Sequence, residues 1–263
     1  MSFQVAVAQP EVQPEAVFAI GNFVVSNAMM MSVVVTFIFL FLSVGFIRKS
    51  KLVPSIFQTM FELLVDGILG LLESIMGNRK GAEKMLPLIG SLFLFVGLSN
   101  VIALFPGVTS FTYDGVQMFR TPTNDFNTTF SIALAMIILT QIASMKEFGI
   151  FGHLGKYFKF KDVVVGFKKG AGEGVLAIVD FLIGLLDIVS EIAKVISLSL
   201  RLFGNMYAGE VLAAILLGTF AMFIPAPWLA MNLLVGLLQA LVFGSLTAAY
   251  YALAIEKSEE QIN

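Results

Sequence analysis

Apolar positions along the chain gather into long runs separated by short polar stretches. Runs over 23–46, 86–105 and 126–145 are each long enough to cross a bilayer, which takes about 20 apolar residues. Two longer runs, 175–217 and 227–255, carry polar positions at helical spacing, with "GTFAMFIPAP" as the turn between them. Residues 54–76 read differently. Gln58, Glu62, Asp66 and Glu73 fall at spacings of four, four and seven, a polar stripe on an otherwise apolar helix. Pro54 suits its first position and Gly77 its end. Such a helix lies along the membrane surface or packs against other spans. "NRKGAEK" reads as a basic loop before the second span, which Pro106 closes, and Asp125 as the cap of the third. The pattern predicts an all-α polytopic membrane protein. It has five membrane-spanning helices plus one amphipathic helix, and the two long C-terminal helices form a tilted hairpin.

Composition agrees: 58 % of the chain is hydrophobic and 13 % charged, against roughly a quarter charged in soluble domains. The net charge of −2 gives no reason to expect a nucleic-acid partner. The absence of cysteine excludes disulfides, iron–sulfur clusters and thiol chemistry. No phosphate-binding loop or metal cluster is visible, so neither cofactor nor metal is expected. His153, the only histidine, reads as a solvated loop residue. The N-terminus has no basic region before its first apolar run and no Arg-rich character, so neither a cleavable signal nor a transit peptide is expected.

The basic residues set the topology. They fall after the first span (Arg48, Lys49, Lys51), before the second (Arg79, Lys80, Lys84), after the third (Lys146, Lys156, Lys159, Lys161, Lys168, Lys169) and in the tail (Lys257). Arg120 alone lies on the opposite side. By the positive-inside rule the N-terminus is outside and the C-terminus cytoplasmic. The chain then reads as one membrane domain over 1–263. Its parts are an external segment 1–22, the amphipathic helix 54–76, a basic cytoplasmic loop 146–174 and a helical hairpin 175–255.

The fourth long run carries the chemistry. Glu173, Asp180, Asp187, Lys194 and Arg201 are each seven residues apart. Seven residues is about 700° of helix, so the five charges form one slowly turning stripe if the helix is continuous. Ser190, Glu191, Ser197, Gly204, Asn205 and Ala208 lie on or beside it. Glu173 and Asp180 are open to a bland reading, internal pairing near water. Arg201 is not, because a central arginine costs roughly 2.5–3.5 kcal/mol on insertion scales. It has no carboxylate within a turn. Glu210 is nine residues on, about 13.5 Å along the axis and half a turn round. Small residues around Arg201 let another helix come close. The last run adds Asn232, Gly236, Gln239 and Phe243 at spacings of four, three and four. A tight hairpin brings Gln239 to the level of Arg201 or Asn205, and Asn232 toward Glu210. Interhelical hydrogen bonding is the bland reading of both amides. Glu191 and Asp187 lie about 15 and 21 Å from Arg201 on its other side.

"SLSLRLFGNMYAGE" closely resembles the signature of subunit a of the F-type ATP synthase. "LFVGLSNVIALFPG", "TPTNDFNTTFSIAL" and "LLQALVFGSLTAAYYAL" resemble further segments of that family, in the same order. The resemblance implies a stator subunit of the ATP synthase membrane sector with no active site of its own. Its implied partners are a ring of subunit c, the peripheral-stalk subunit b, other ATP synthase subunits and the lipid bilayer. It implies that Arg201 is the essential charge facing the rotor ring. Glu210, Asn205, Gln239, Asn232 and Asp125 would serve an outer proton path, and Asp187, Ser190, Glu191 and Lys194 an inner one. Some relatives have histidine where Asn232 stands, and asparagine cannot titrate. The expected location is a bacterial plasma membrane, the alternative an organelle inner membrane. A sodium-translocating version and an independent proton-coupled transporter or channel are the competing functions; a scaffold leaves the charged stripe without a purpose.

Overall fold

The computed structural model describes residues 13–49, 51, 53–103, 111–113, 116–157, 165, 168, 171–219 and 225–259. Among the described residues, six helices carry the fold: α1 (Asn27–Lys49), α2 (Ile56–Met76), α3 (Arg79–Ala103), α4 (Phe126–Tyr157), α5 (Ala171–Thr219) and α6 (Pro225–Glu259). Among the described residues, four stretches are long and apolar enough to cross a membrane: Asn27–Arg48, Arg79–Ile102, Phe126–Lys146 and Pro227–Leu253. α5 is not among them.

Two small antiparallel ribbons accompany the helices, and the apolar pattern did not anticipate them. β1 (Ala16–Ile20) pairs with β2 (Phe23–Ser26), and β3 (Thr112–Tyr113) with β4 (Val116–Gln117). Gly21 takes φ 64° in the two-residue turn between the first pair, a conformation cheap only for glycine. The first span therefore starts at Asn27 rather than 23. Residues 23–26 prefer the ladder, where Val24 and Val25 face β1 partners.

Helix ends explain the other corrections. Ser55, not Pro54, begins α2: its hydroxyl accepts from the Gln58 amide, and Pro54 lies outside the helix. Gly77 closes it at φ 68° as expected. Most of "NRKGAEK" is helix rather than loop. The Asn78 side-chain oxygen accepts from the Gly81 amide at 2.6 Å and caps α3, so the helix starts ahead of the apolar run. The basic loop expected over 146–174 is shorter. α4 continues to Tyr157, interrupted at Gly149 (φ 78°, ψ 158°), and α5 already begins at Ala171. Most of the segment between them, Pro106 and part of the expected 218–227 turn lie outside the described residues.

The core joins α3, α4, α5 and α6. Leu92 and Val96 of α3 meet Ala133 and Ile137 of α4, Val195, Leu198 and Leu202 of α5, and Ala240 and Phe243 of α6. A second cluster seats the C-terminal half of α2 (Ile68, Leu69, Leu72) on α3 and α6. The polar stripe of α2 is not a solvated face at its start. Gln58 is buried, donating to the Lys51 carbonyl and to Glu62, while Ile56, Phe57, Met60 and Leu63 point outward. Buried amides lock the bundle laterally. Asn100 of α3 donates to the Gly236 carbonyl of α6 at 3.1 Å and accepts from Thr123 at 2.6 Å. Thr123 belongs to a short 3-10 turn, Pro122–Asn124, that also packs on α5.

Candidate functional site

α5 is helical from Ala171 to Thr219, so the seven-residue charges do lie on one continuous helix. Glu173 sits in its first turn, where a carboxylate favours the helix dipole. Glu173 and Asp180 are exposed and form no ion pair among the described residues, against the internal pairing open to them.

Around Arg201 the helix has two unlike faces. Leu198, Ser199 and Leu202 are buried against the bundle. Ile196, Ser197, Leu200, Arg201, Asn205 and Ala208 are exposed. A side chain added at Gly204 would meet nothing within 4 Å. No carboxylate among the described residues forms an ion pair with Arg201. The arginine thus stands on an open, small-residue face of the chain that carries it.

Toward the C-terminal end of α5, neutral groups tie the helix to α6. Asn205 donates to the Gln239 side-chain oxygen at 2.9 Å. Trp228 and Asn232 both donate to the Gly209 carbonyl, at 3.1 and 3.2 Å. These pairings ascend one helix as they descend the other, so the two run antiparallel where they touch. Gly209 permits the approach: a Cβ there would lie 2.7 Å from the Asn232 oxygen. Gln239 thus reaches Asn205, as the spacing suggested, and both amides make the interhelical bonds of their bland reading. Asn232 reaches the residue beside Glu210.

Glu210 is half-buried, and its Oε2 has no hydrogen-bond partner among the described residues. The charge acting on it is Arg120. Sequence reasoning treated Arg120 only as an outer-loop cation, yet it is 7 % exposed and donates to the Gln13 carbonyl at 2.8 Å. Asn124, on the 3-10 turn against α5, keeps both polar side-chain atoms buried without a partner among the described residues, and the Gln239 Nε2 is likewise buried and unpartnered there. Buried polar atoms of this kind call for water. Asp125 is 3 % exposed and spends its carboxylate as a cap, accepting from the Asn127 and Thr128 amides and the Thr128 hydroxyl. The Phe126 ring packs edge-on against Phe203, 5.9 Å between centroids, fixing this turn beside α5.

On the N-terminal side of Arg201, α5 meets α6 through a cation over a ring, and the cation is paired within α5 itself. Lys194 Nζ lies 2.7 Å from Glu191 and 4.8 Å from the centroid of Tyr250 on α6. Both charged side chains stay about one-fifth exposed (20 % and 18 %), so water still reaches the pair. Ser190 is exposed. Asp187 and Glu191 both act electrostatically on Tyr157 of α4. Nothing in the local sequence singled out Tyr157; its burial follows from the break at Gly149, a long-range consequence. Among the described residues no group of three or more metal-type ligands forms.

The chain matches the ATP synthase A chain family over residues 28–252. It belongs to that family. The ATP synthase subunit a of Desulforamulus reducens is 36 % identical over 206 residues, 75 % of this chain and 66 % of that one. "ATP synthase subunit a 2" of a Picosynechococcus strain is 28 % identical over 243 residues, 91 % of each chain. The subunit of Enterococcus faecalis is 30 % identical over 258 residues, 94 % of this chain and 99 % of that one. Family membership makes the chain a multi-pass component of the ATP synthase membrane sector with a role in ion translocation, and not a catalytic subunit.

Proposed function

We propose that the chain is the stator of a proton turbine, in which Arg201 separates two offset aqueous half-channels that meet a rotor ring of subunit c. The observation that carries this reading is Arg201 itself: a permanent charge on an exposed, small-residue face, with no carboxylate among the described residues paired to it. A charge so placed needs its counter-ion from outside the chain. A rotor carboxylate passing that face supplies one.

In this reading α5 also crosses the membrane, the fourth of five crossings along the chain, and forms a tilted hairpin with α6. The N-terminus is outside, the C-terminus cytoplasmic, and the membrane is the bacterial plasma membrane. A proton arrives from outside by way of Glu210, with Asn205, Gln239 and Asn232 as neutral neighbours. The orphaned polar atoms of Asn124, Glu210 and Gln239 support a hydrated path at this end. Asp125 contributes by holding the turn in place. The proton neutralises a rotor carboxylate, which then crosses lipid at tolerable cost. After nearly a full turn the carboxylate reaches Arg201 again, whose charge favours the ionised form. The proton leaves through the inner half-channel, past Lys194, Glu191, Ser190 and Asp187. Each charge moved through 100 mV yields about 2.3 kcal/mol. The peripheral-stalk subunit b and the remaining subunits hold the chain still against the ring.

The test is Arg201→Ala in membrane vesicles. ATP-driven proton pumping should vanish while the complex still assembles; pumping at the wild-type rate would sink the reading. Lysine should substitute badly, lacking the planar donor fork. Pumping that follows sodium instead of protons would give the sodium version of the same machine.

A further inference from the structure

The segment after Gly149 does not continue the line of α4. Tyr157 donates its phenol hydrogen to the Gln141 side-chain oxygen at 3.3 Å. Sixteen residues of straight helix would hold the two about 24 Å apart. The contact therefore requires the chain to turn back at Gly149, whose φ of 78° permits the reversal. Tyr157 ends 9 % exposed, although it lies in a run rich in lysine.

Its surroundings are the middle of the charged stripe. Asp187 and Glu191 act on it from α5, and Glu191 in turn holds Lys194 against Tyr250 of α6. Burial first, and then these two carboxylates, push the phenol up to about 12, so it keeps its proton throughout the physiological range. A neutral phenol donates one hydrogen bond and accepts others. Packing alone does not need that hydroxyl.

We propose that Tyr157 is a positioning residue of the inner half-channel. With Gln141 it forms a neutral hydrogen-bonding lip on α4 that faces Asp187 and Glu191 on α5 and orients the groups and water that take up the departing proton. This rests on the half-channel reading of Asp187 and Glu191. The lip adds no charge, so it orders the exit without competing with Arg201 for the rotor carboxylate. The reversal at Gly149 places it there.

The experiment uses the whole ATP synthase in inverted membrane vesicles, with Tyr157→Phe, Gln141→Leu and Arg201→Ala compared. Passive proton conductance is read after the catalytic part is stripped, with pH varied on each side separately. Y157F, which keeps the ring, should assemble normally and lose several-fold of the conductance. Its dependence on inner-side pH should change while its dependence on outer-side pH stays wild-type. Q141L should reproduce the change, and the double variant should be no worse than either single one. Should Y157F assemble poorly, Q141L, which leaves the ring in place, carries the same test. Wild-type conductance and inner-side pH profile in these variants would overturn the assignment. Loss of pumping in R201A beside a normal Y157F overturns the lip alone, whereas pumping retained in R201A overturns the half-channel reading itself.

Discussion

On the two sides of Arg201, α5 is joined to α6 by different chemistry. Beyond Arg201, toward Thr219, the joints are neutral: an amide pair between Asn205 and Gln239, and two donors converging on the Gly209 carbonyl. Before Arg201 the joint to α6 is the Lys194 ammonium over the Tyr250 ring, and that ammonium is paired with Glu191 of α5 itself. Arg201 belongs to neither set. The difference follows from how closely the helices approach. Gly209 lets α6 come near enough for short amide donors to reach a backbone carbonyl, where a bare charge would be costly to desolvate. The Lys194 pair keeps partial contact with water, which makes a charged joint affordable. In the proposed machine, a neutral joint leaves Glu210 as the group free to handle a proton at one end. At the other, charges share the task.

The sharpest way to break the neutral joint is Gly209→Val. The added atoms fall onto Asn232, which must leave its bond to the Gly209 carbonyl. Overpacking of this kind costs about 1–3 kcal/mol. Thermal unfolding of the detergent-solubilised membrane sector should show the loss, and it should exceed that of Gly204→Ala, where nothing lies within 4 Å. Equal losses at the two glycines would mean that the close approach is not what holds α6.

Asp125→Ala tests a joint that serves both ends, the turn that seats α4 beside α5. Removing a helix cap costs about 0.5–2 kcal/mol. Asp125→Asn, which keeps an acceptor, should recover most of it. If Asp125→Asn instead stopped proton pumping with stability intact, the carboxylate would belong to the proton path rather than to the cap.

How much of this could be read from the sequence depended on distance along the chain. The Asp125 cap and the Gly77 stop were legible because their partners lie within three or four residues. The charged stripe was legible because helical periodicity is local. The Asn205–Gln239 pairing needed only one assumed hairpin. Arg120 and Tyr157 were not legible. Arg120 reaches Gln13 across 107 residues, and Tyr157 reaches Gln141 only because of a positive φ at Gly149. The first ribbon was hidden by its own composition, since Phe23, Val24 and Val25 extend an apolar run as naturally as they form a strand.

The Asn205–Gln239 pair invites a double-mutant cycle with Asn205→Leu and Gln239→Leu. A neutral hydrogen bond contributes about 0.5–1.5 kcal/mol, and the coupling energy should fall in that range. It should not vary with salt. A coupling that vanished in high salt would show that the C-terminal end of α5 is held by charge after all.

The smallest effect belongs to the ionic end. Glu191→Gln keeps the shape and one acceptor but removes the charge facing Lys194. An ion pair with both partners about one-fifth exposed contributes roughly 0.2–1 kcal/mol, well below a desolvated pair. The loss should be visible at low ionic strength and should shrink toward zero in 1 M salt, where the screening length falls to about 3 Å. The Lys194 ammonium lies over the Tyr250 ring in either case, so the residual stability in high salt includes that cation–π contact. A loss that stayed constant across salt would assign the joint to packing and hydrogen bonding. The contrast between the two ends of α5 would then be one of geometry and not of charge.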